Sequence, residues 1–311
     1  MGATQPWAVI INLKSGKKHF RQQMLYLFHE LKKAGIRYEH KFTDFAGHAV
    51  LIARNYARSG FRNFLVVGGD GTISEVVNGI FGAGIETAGI KLAQIPRGTG
   101  NDWARFWGLN RDYRHAIAVF LAGNSRPIDI GTIRYALEGE ERRHFFINSV
   151  GFGLDAAVVR IAHRLKRYIG SHAILYFISL LTAVFRYRPF RFQLKTNGKE
   201  IQDVLFTMNI ANGCYSGGGM KQNPGALPYD GIFDAMMVCK PSLRDILTAL
   251  PRLFDGKLLS HRALESFRTE WLELNYHNGG YFEADGILVN CDPPLQIGIE
   301  KHALQMIVPY E

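Results

Sequence analysis

The chain has 311 residues, enough for two domains with a core each, and its 47% hydrophobic and 21% charged residues exclude a disordered chain. A net charge of +10 favours anionic partners, but no zinc-finger spacing or RNP aromatic pattern is present, so no nucleic-acid partner is expected. Three cysteines, Cys214, Cys239 and Cys291, without C-x-x-C spacing, exclude a disulfide framework or zinc site and point to a reducing, cytoplasmic setting.

In chain order, Ala8–Asn12 reads as a strand, Lys18–Ala34 as a helix, Arg37–Phe42 as a strand and Ala46–Ser59 as a helix. Phe64–Val67 follows as a strand, Ile73–Phe81 as a helix and Lys91–Ile95 as a strand. Short apolar runs alternating with helix-period stretches indicate an α/β domain whose parallel sheet is covered on both faces, over residues 1–126. The opening apolar run is only strand-long, which argues against a signal peptide, and Pro6 stands where a myristoylation signal needs Ser or Thr.

From Pro127 strands dominate: Ile128–Tyr135, His144–Ser149, Phe190–Thr196, Val204–Ala211, Ile232–Val238, Leu272–Tyr276, Tyr281–Glu283 and Leu288–Cys291. Asn197-Gly198 marks a hairpin turn. Residues 127–300 thus read as an antiparallel β-rich domain with one or two inserted helices. The most apolar helix, Ala173–Phe185, falls short of the roughly 20 residues a bilayer span needs. Residues 301–311, with the apolar run Ala303–Val308, suit a return to either domain.

Chemistry-bearing residues gather at strand ends. Gly68-Gly69-Asp70-Gly71-Thr72 lies between a buried strand and a helix, where glycines let backbone N–H groups approach phosphate and the helix N-terminus adds positive potential. Thr72 and Glu75 fit a capping box for that helix. A lone glycine cluster reads equally as a tight turn. Here a second block, Pro96-Arg97-Gly98-Thr99-Gly100-Asn101-Asp102, also follows a strand, as does Asn12-Leu13-Lys14-Ser15-Gly16-Lys17. In open α/β sheets, ligands sit beyond the carboxyl ends of the strands. None of the blocks has the G-x-x-x-x-G-K-[ST] spacing of a P-loop. Gly151–Ala156 satisfies G-x-G-x-x-A, but no acid lies about 20 residues on, so a dinucleotide fingerprint fails.

These blocks resemble the diacylglycerol kinase catalytic-domain superfamily, which includes soluble bacterial lipid kinases and the sphingosine and ceramide kinases. The resemblance spans nearly the whole chain. Asn12–Gly16 is similar to N-P-x-S-G with Leu13 for the proline, and Thr43 with Gly47-His48-Ala49 to T-x-x-x-x-H-A. Gly68–Thr72 with Glu75 and Asn78-Gly79 resembles G-G-D-G-T-x-x-E-x-x-N-G, and Pro96–Asp102 resembles P-x-G-T-x-N-D. Asn148–Gly153, Gly217–Met220 and Asp230–Asp234 look like later family blocks.

The resemblance implies an α/β nucleotide-binding domain, a β-sandwich domain, and ATP meeting a lipid hydroxyl in the cleft between them. By position, Asn12, Ser15, Gly16, Thr43, Gly68, Gly69, Asp70, Gly71, Thr72, Ile73, Ser74, Gly98, Thr99, Asn101 and Asp102 would surround ATP. It also implies a structural Mg²⁺ held by Asp230 with the carbonyls of Leu227 and Ile232, and a general base at Asp285, in a block matching D-G-E. Ile287 replaces the final Glu of that block, and Glu283 is the nearby carboxylate. The implied activity is transfer of the γ-phosphoryl group of ATP to a lipid such as diacylglycerol. A soluble-acceptor kinase of the NAD-kinase type, or a catalytically weak nucleotide-binding or membrane-sensing relative with Ile287 in place of the Glu, stays as the alternative. Arg160, His163, Arg164, Lys166, Arg167 and Tyr168 before Ala173–Phe185, with Arg186 and Arg188 after it, form a basic flank. Such a flank more often marks the solvated ends of a core helix, and it also suits peripheral contact with an anionic membrane surface. A homodimer stays open.

Overall fold

The computed structural model describes residues 5–15, 19–109, 112–169, 173–276 and 280–310, without the side chains of 166–169 and 173–177. It divides into two compact units: unit 1, residues 1–128 with 301–311, and unit 2, residues 129–300.

Unit 1 alternates strand and helix: β1 (Trp7–Asn12), α1 (Phe20–Lys33), β2 (Tyr38–Thr43), α2 (His48–Arg58), β3 (Asn63–Gly68), α3 (Asp70–Phe81), β4 (Lys91–Pro96), α4 (Asp102–Phe106) and α5 (Tyr113–Ala122). The strands run parallel in the order β4-β3-β1-β2. Ala8–Ile11 and Phe64–Val67 are fully buried, as expected of a parallel sheet covered on both faces. The longer helices supply apolar stripes, such as Met24, Leu27 and Leu31 of α1 at spacings of three and four. Residues 301–307 return to this unit, where Gln305 and Met306 pair in parallel with Lys91 and Leu92.

Unit 2 contains β5 (Ser125–Leu137, entered from unit 1), β6 (Glu140–Phe146), β7 (Ser149–Gly153), α6 (Leu154–Ile169), α7 (Ala173–Arg186), β8 (Phe190–Thr196) and β9 (Lys199–Ala211). β10 (Phe233–Cys239), α8 (Leu243–Ala249), α9 (Arg252–Asp255), β11 (Leu264–Thr269), β12 (Trp271–Tyr276), β13 (Gly280–Ala284) and β14 (Ile287–Ile307) complete the order. Antiparallel pairings run β9-β8-β12-β14-β13-β7 and back to β9, closing a ring, while β10 and β11 extend from β9. Phe146, Phe152, Phe192, Phe233 and Phe282 fill the core with Leu and Ile between them.

Three expectations change. The strand expected over 144–149 is two strands, broken at Ile147 and Asn148 because their N–H groups donate to the Asp285 carboxylate rather than to a neighbouring strand. The short strand expected over 288–291 is the start of the 21-residue β14. Finally, α4, α5, α6, α8, α9 and β11 lie outside the predicted elements. Among the described residues, no helix is long and apolar enough to cross a membrane.

Candidate active site

The parallel register aligns the strand ends of unit 1: Asn12 lies beside Thr43, Ile11 beside Val67 and Gly68 beside Pro96. The blocks that follow these strands therefore open at one end of the sheet, and hydrogen bonds fasten them together. Asn12 Nδ2 donates to Thr72 Oγ1 at 2.9 Å, and Asn12 Oδ1 accepts the Lys14 N–H at 2.9 Å. Arg97 Nε donates to the Ser15 carbonyl at 3.2 Å while its guanidinium lies 5.0 Å from the Phe20 ring centre. Asp70 turns inward, accepting the N–H groups of Asp102 at 3.0 Å and Trp103 at 3.1 Å. Burial raises its pKa, and those N–H donors oppose the rise. Asn101, at φ 52°, closes the second loop by exchanging hydrogen bonds with the Gly98 N–H and carbonyl at 2.7 and 2.9 Å.

The glycines divide into two kinds. A Cβ on Gly69 would lie 2.7 Å from Gly98 Cα, and one on Gly98 would lie 2.7 Å from Gly69 Cα, so the loops touch backbone to backbone. Gly71 has no such neighbour. A Cβ there meets nothing within 4 Å, and no positive φ demands glycine. It stands in the first turn of α3, whose leading N–H groups have no partner within the helix. That open space at a helix N-terminus suits a phosphate.

The capping box expected of Thr72 and Glu75 does not form. α3 begins at Asp70 with Gly69 as its N-cap and no side-chain cap. Thr72 instead accepts from Asn12, and the Glu75 carboxylate reaches the start of α2, accepting the N–H groups of Gly47 at 2.9 Å and Ala49 at 3.2 Å. Ile73 and Ser74 have fully buried side chains, which leaves only their backbones to meet a ligand. Thr43 is buried, Thr99 is exposed, and Asn101 and Asp102 are buried within the second loop. Gly16, with Lys17, lies outside the described residues, as do the side chains of Lys166, Arg167 and Tyr168.

In unit 2, Asp285 and Gly286, at φ 50° and 79°, form the two-residue turn between β13 and β14. The Asp285 carboxylate folds back to accept three backbone N–H groups: Ile147 at 2.9 Å, Asn148 at 2.9 Å and Ser149 at 3.1 Å. Its own N–H donates to the Ser149 carbonyl at 3.0 Å. Glu283 holds the same turn from the other side, accepting the Gly286 N–H at 3.0 Å. Ile287 opens β14 opposite Ala284, and its hydrocarbon side chain has no polar atom.

Behind the turn lies a carboxyl group that was not singled out in the sequence, Asp155 at the start of α6. It accepts from Thr207 Oγ1 at 3.1 Å, Asn209 Nδ2 at 3.3 Å and Gln222 Nε2 at 3.2 Å. Asp155 and Glu283 flank Gly151, where a Cβ would sit 3.0 Å from Asp155 Oδ2 and 2.8 Å from Glu283 Oε1. Burial, and then repulsion from Asp155 and Asp285, pushes Glu283 up to about 8; burial lifts Asp155 to about 6 against its three donors. The signal was present in Gly151–Ala156: a glycine-rich strand end delivering an acid into a helix.

Asp155 also lines an apolar crevice with Leu154, Leu180, Val184, Phe206, Met236 and Leu253 among its walls. The crevice holds about 80 Å³, room for a short length of hydrocarbon.

For the expected metal, the donor set of one carboxylate and carbonyls is of the all-oxygen kind a hard divalent cation prefers. Yet the Asp230 carboxylate is already engaged: Oδ1 accepts the Ile232 N–H at 3.3 Å and Oδ2 ion-pairs with Arg268. With Arg268 in place, the residues do not fit a metal at Asp230. Among the described residues, no group of three or more His, Cys, Asp or Glu is arranged to hold a metal ion.

A glycine-rich parallel α/β unit with phosphate-ready strand ends, and a β-rich unit carrying a fixed carboxylate on a turn, define a nucleotide-dependent phosphotransferase. Residues 6–133 match the diacylglycerol kinase catalytic domain, and residues 148–308 match the YegS C-terminal NAD kinase beta sandwich-like domain. The chain belongs to this family, and it is an enzyme of the lipid-kinase class that uses ATP. Similar proteins include the diacylglycerol kinase of Bacillus subtilis (strain 168), 27% identical over 97% of this chain and 96% of that one. Another is the diacylglycerol kinase of Staphylococcus aureus (strain bovine RF122 / ET3-1), 28% identical over 94% of this chain and 90% of its own. The fold matches that of a crystal structure titled as a diacylglycerol kinase from Bacillus anthracis str. Sterne, with a TM-score of 0.70, 20% identity, and coverage of 98% and 97%.

Proposed function

We propose that this enzyme transfers the γ-phosphoryl group of MgATP to the hydroxyl of a lipid, diacylglycerol or a similar long-chain alcohol, with Asp285 taking the hydroxyl proton. What supports a lipid acceptor is the apolar crevice of unit 2, whose lining includes the buried Asp155 carboxyl. From Asp155 the polar path continues to Glu283 across Gly151, and from Glu283 to the turn that carries Asp285. A hydrocarbon chain in the crevice would thus end near polar groups.

ATP lies on the blocks after β1, β3 and β4, with its phosphates at the N-terminus of α3 beside Gly71. Phosphoryl transfer passes through a loose transition state, so orientation of the nucleophile counts for more than the strength of the base. Three N–H donors give the Asp285 carboxylate that orientation.

Access to the lipid comes from α7, α8 and α9, which wall the crevice with Leu180, Ile246 and Leu253 and leave large apolar side chains in solvent. Phe185 is 73% exposed, Phe254 58%, Leu247 56% and Leu243 55%, with Arg186, Arg188 and Arg244 nearby in sequence. That combination suits a peripheral contact with an anionic bilayer. Co-sedimentation with phosphatidylglycerol vesicles should be strong for the wild type and weak for Phe185→Ser combined with Leu247→Ser; equal binding of the two would remove these helices from the contact.

Asp285→Asn tests the base. Removing a general base typically lowers the rate on the order of 100-fold or more. ³²P transfer to diacylglycerol in mixed micelles should fall that far while ATP affinity, carried by unit 1, is unchanged. Undiminished transfer would sink the assignment of Asp285.

A further inference from the structure

The corner between residues 227 and 234 carries two carboxylates, Asp230 and Asp234. The antiparallel register of β10 and β11 sets Asp234 directly opposite Arg268, the arrangement in which opposite charges attract across a sheet. Arg268 uses its fork twice: Nη2 ion-pairs with Asp230, and Nε lies 3.4 Å from Asp234 Oδ2. Behind the corner, the buried Asp129 carboxylate accepts the Gly231 N–H at 2.7 Å, and the Asp129 N–H donates to the Pro228 carbonyl at 2.8 Å. The backbone is therefore held independently of any ion, and the remaining need is a positive charge between two acids. A planar guanidinium placed by strand register meets that need.

We propose that Arg268 is a built-in cation of this corner, standing where the family resemblance places a divalent metal on Asp230. A divalent cation on Asp230 would meet the guanidinium at the same carboxylate, and like charges a few ångströms apart repel. Metal therefore binds there only after Arg268 swings aside, and the corner keeps its shape without it. The inference concerns architecture and goes beyond the phosphoryl-transfer reading, so the two fail separately.

The test uses the full chain without nucleotide or lipid, melted in chelator and in millimolar Mg²⁺. Wild type should melt at the same temperature in both. Arg268→Ala should melt a few degrees lower in chelator and recover with Mg²⁺, the modest size reflecting a half-exposed arginine. A wild type that Mg²⁺ stabilises as much as the variant overturns the proposal, as does an Arg268→Ala protein indifferent to both chelator and Mg²⁺. Should Arg268→Ala not fold, titration of wild type with Mn²⁺ alone decides: no binding supports a built-in cation, and saturable binding lost in Asp230→Asn overturns it. Lipid phosphorylation by the same preparations reports on the kinase reading by itself.

Discussion

At the scale of single residues, the two kinds of glycine respond to the same change in opposite ways. Gly98→Ala drives a methyl group into the Gly69 backbone, and overpacking of that sort costs about 1–3 kcal/mol. Gly71→Ala meets open space inside a helix, where alanine gains up to about 1 kcal/mol over glycine, so the fold should hold or strengthen. If the phosphates lie beside Gly71, that same stable variant should bind ATP about tenfold more weakly or worse, equivalent to about 1.4 kcal/mol. Urea unfolding and ATP titration of the pair check both signs; a Gly71→Ala protein with wild-type ATP affinity would move the phosphates elsewhere. The composition of these loops was legible in the sequence, but the division of labour among their glycines was not. It depends on which backbone lies so close that an added Cβ would strike it, and spacing along the chain does not encode that. Asp70 shows the same limit. As part of a glycine-rich phosphate loop it reads as a ligand contact, yet its carboxylate points inward and joins two loops.

At the scale of elements, much of unit 1 was readable because β1, β3 and β4 are short apolar runs and α1 and α2 carry regular stripes. The junctions were less so. Glu75 at N3 spacing from Thr72 satisfies a capping-box pattern, but the carboxylate instead supplies the start of α2, which Gly47 leaves without a side-chain cap. Glu75→Ala should lower stability by about 1–2 kcal/mol, the usual loss on removing an N-terminal cap. Amide hydrogen exchange should place the new opening at the first turn of α2; faster exchange confined to α3 would contradict this. In unit 2, long strands such as β14 resist prediction because Asp292-Pro293-Pro294 interrupts the apolar alternation, and only pairing with β12 and β13 reveals their continuity. The break between β6 and β7 is invisible to periodicity altogether, since an acid 137 residues away from Asn148 takes the N–H groups that would have continued the ladder.

For the molecule as a whole, the buried Asp155 and Glu283 tie stability to pH. Both have folded pKa values above their ordinary ones, so the native state keeps protons that the unfolded chain has released. Their contribution is complete below the ordinary carboxylate range; it is lost as pH climbs, through about 6 for Asp155 and about 8 for Glu283. Stability should fall between about pH 5 and pH 8 by on the order of a few kcal/mol, and Glu283→Gln should flatten much of that slope in denaturant titrations. A wild type whose stability rises over this range would count against a protonated Glu283. Finally, β14 carries a consequence for how the protein is made. Unit 1 begins emerging from the ribosome first, but the strand that pairs with β4 emerges only after all of unit 2. At typical synthesis rates β4 waits on the order of ten seconds or more with an open edge, and open edges invite pairing with other chains. The newborn kinase is therefore most exposed to misassembly at β4, and a chaperone acting there would need to stay until residues 301–307 have emerged and paired.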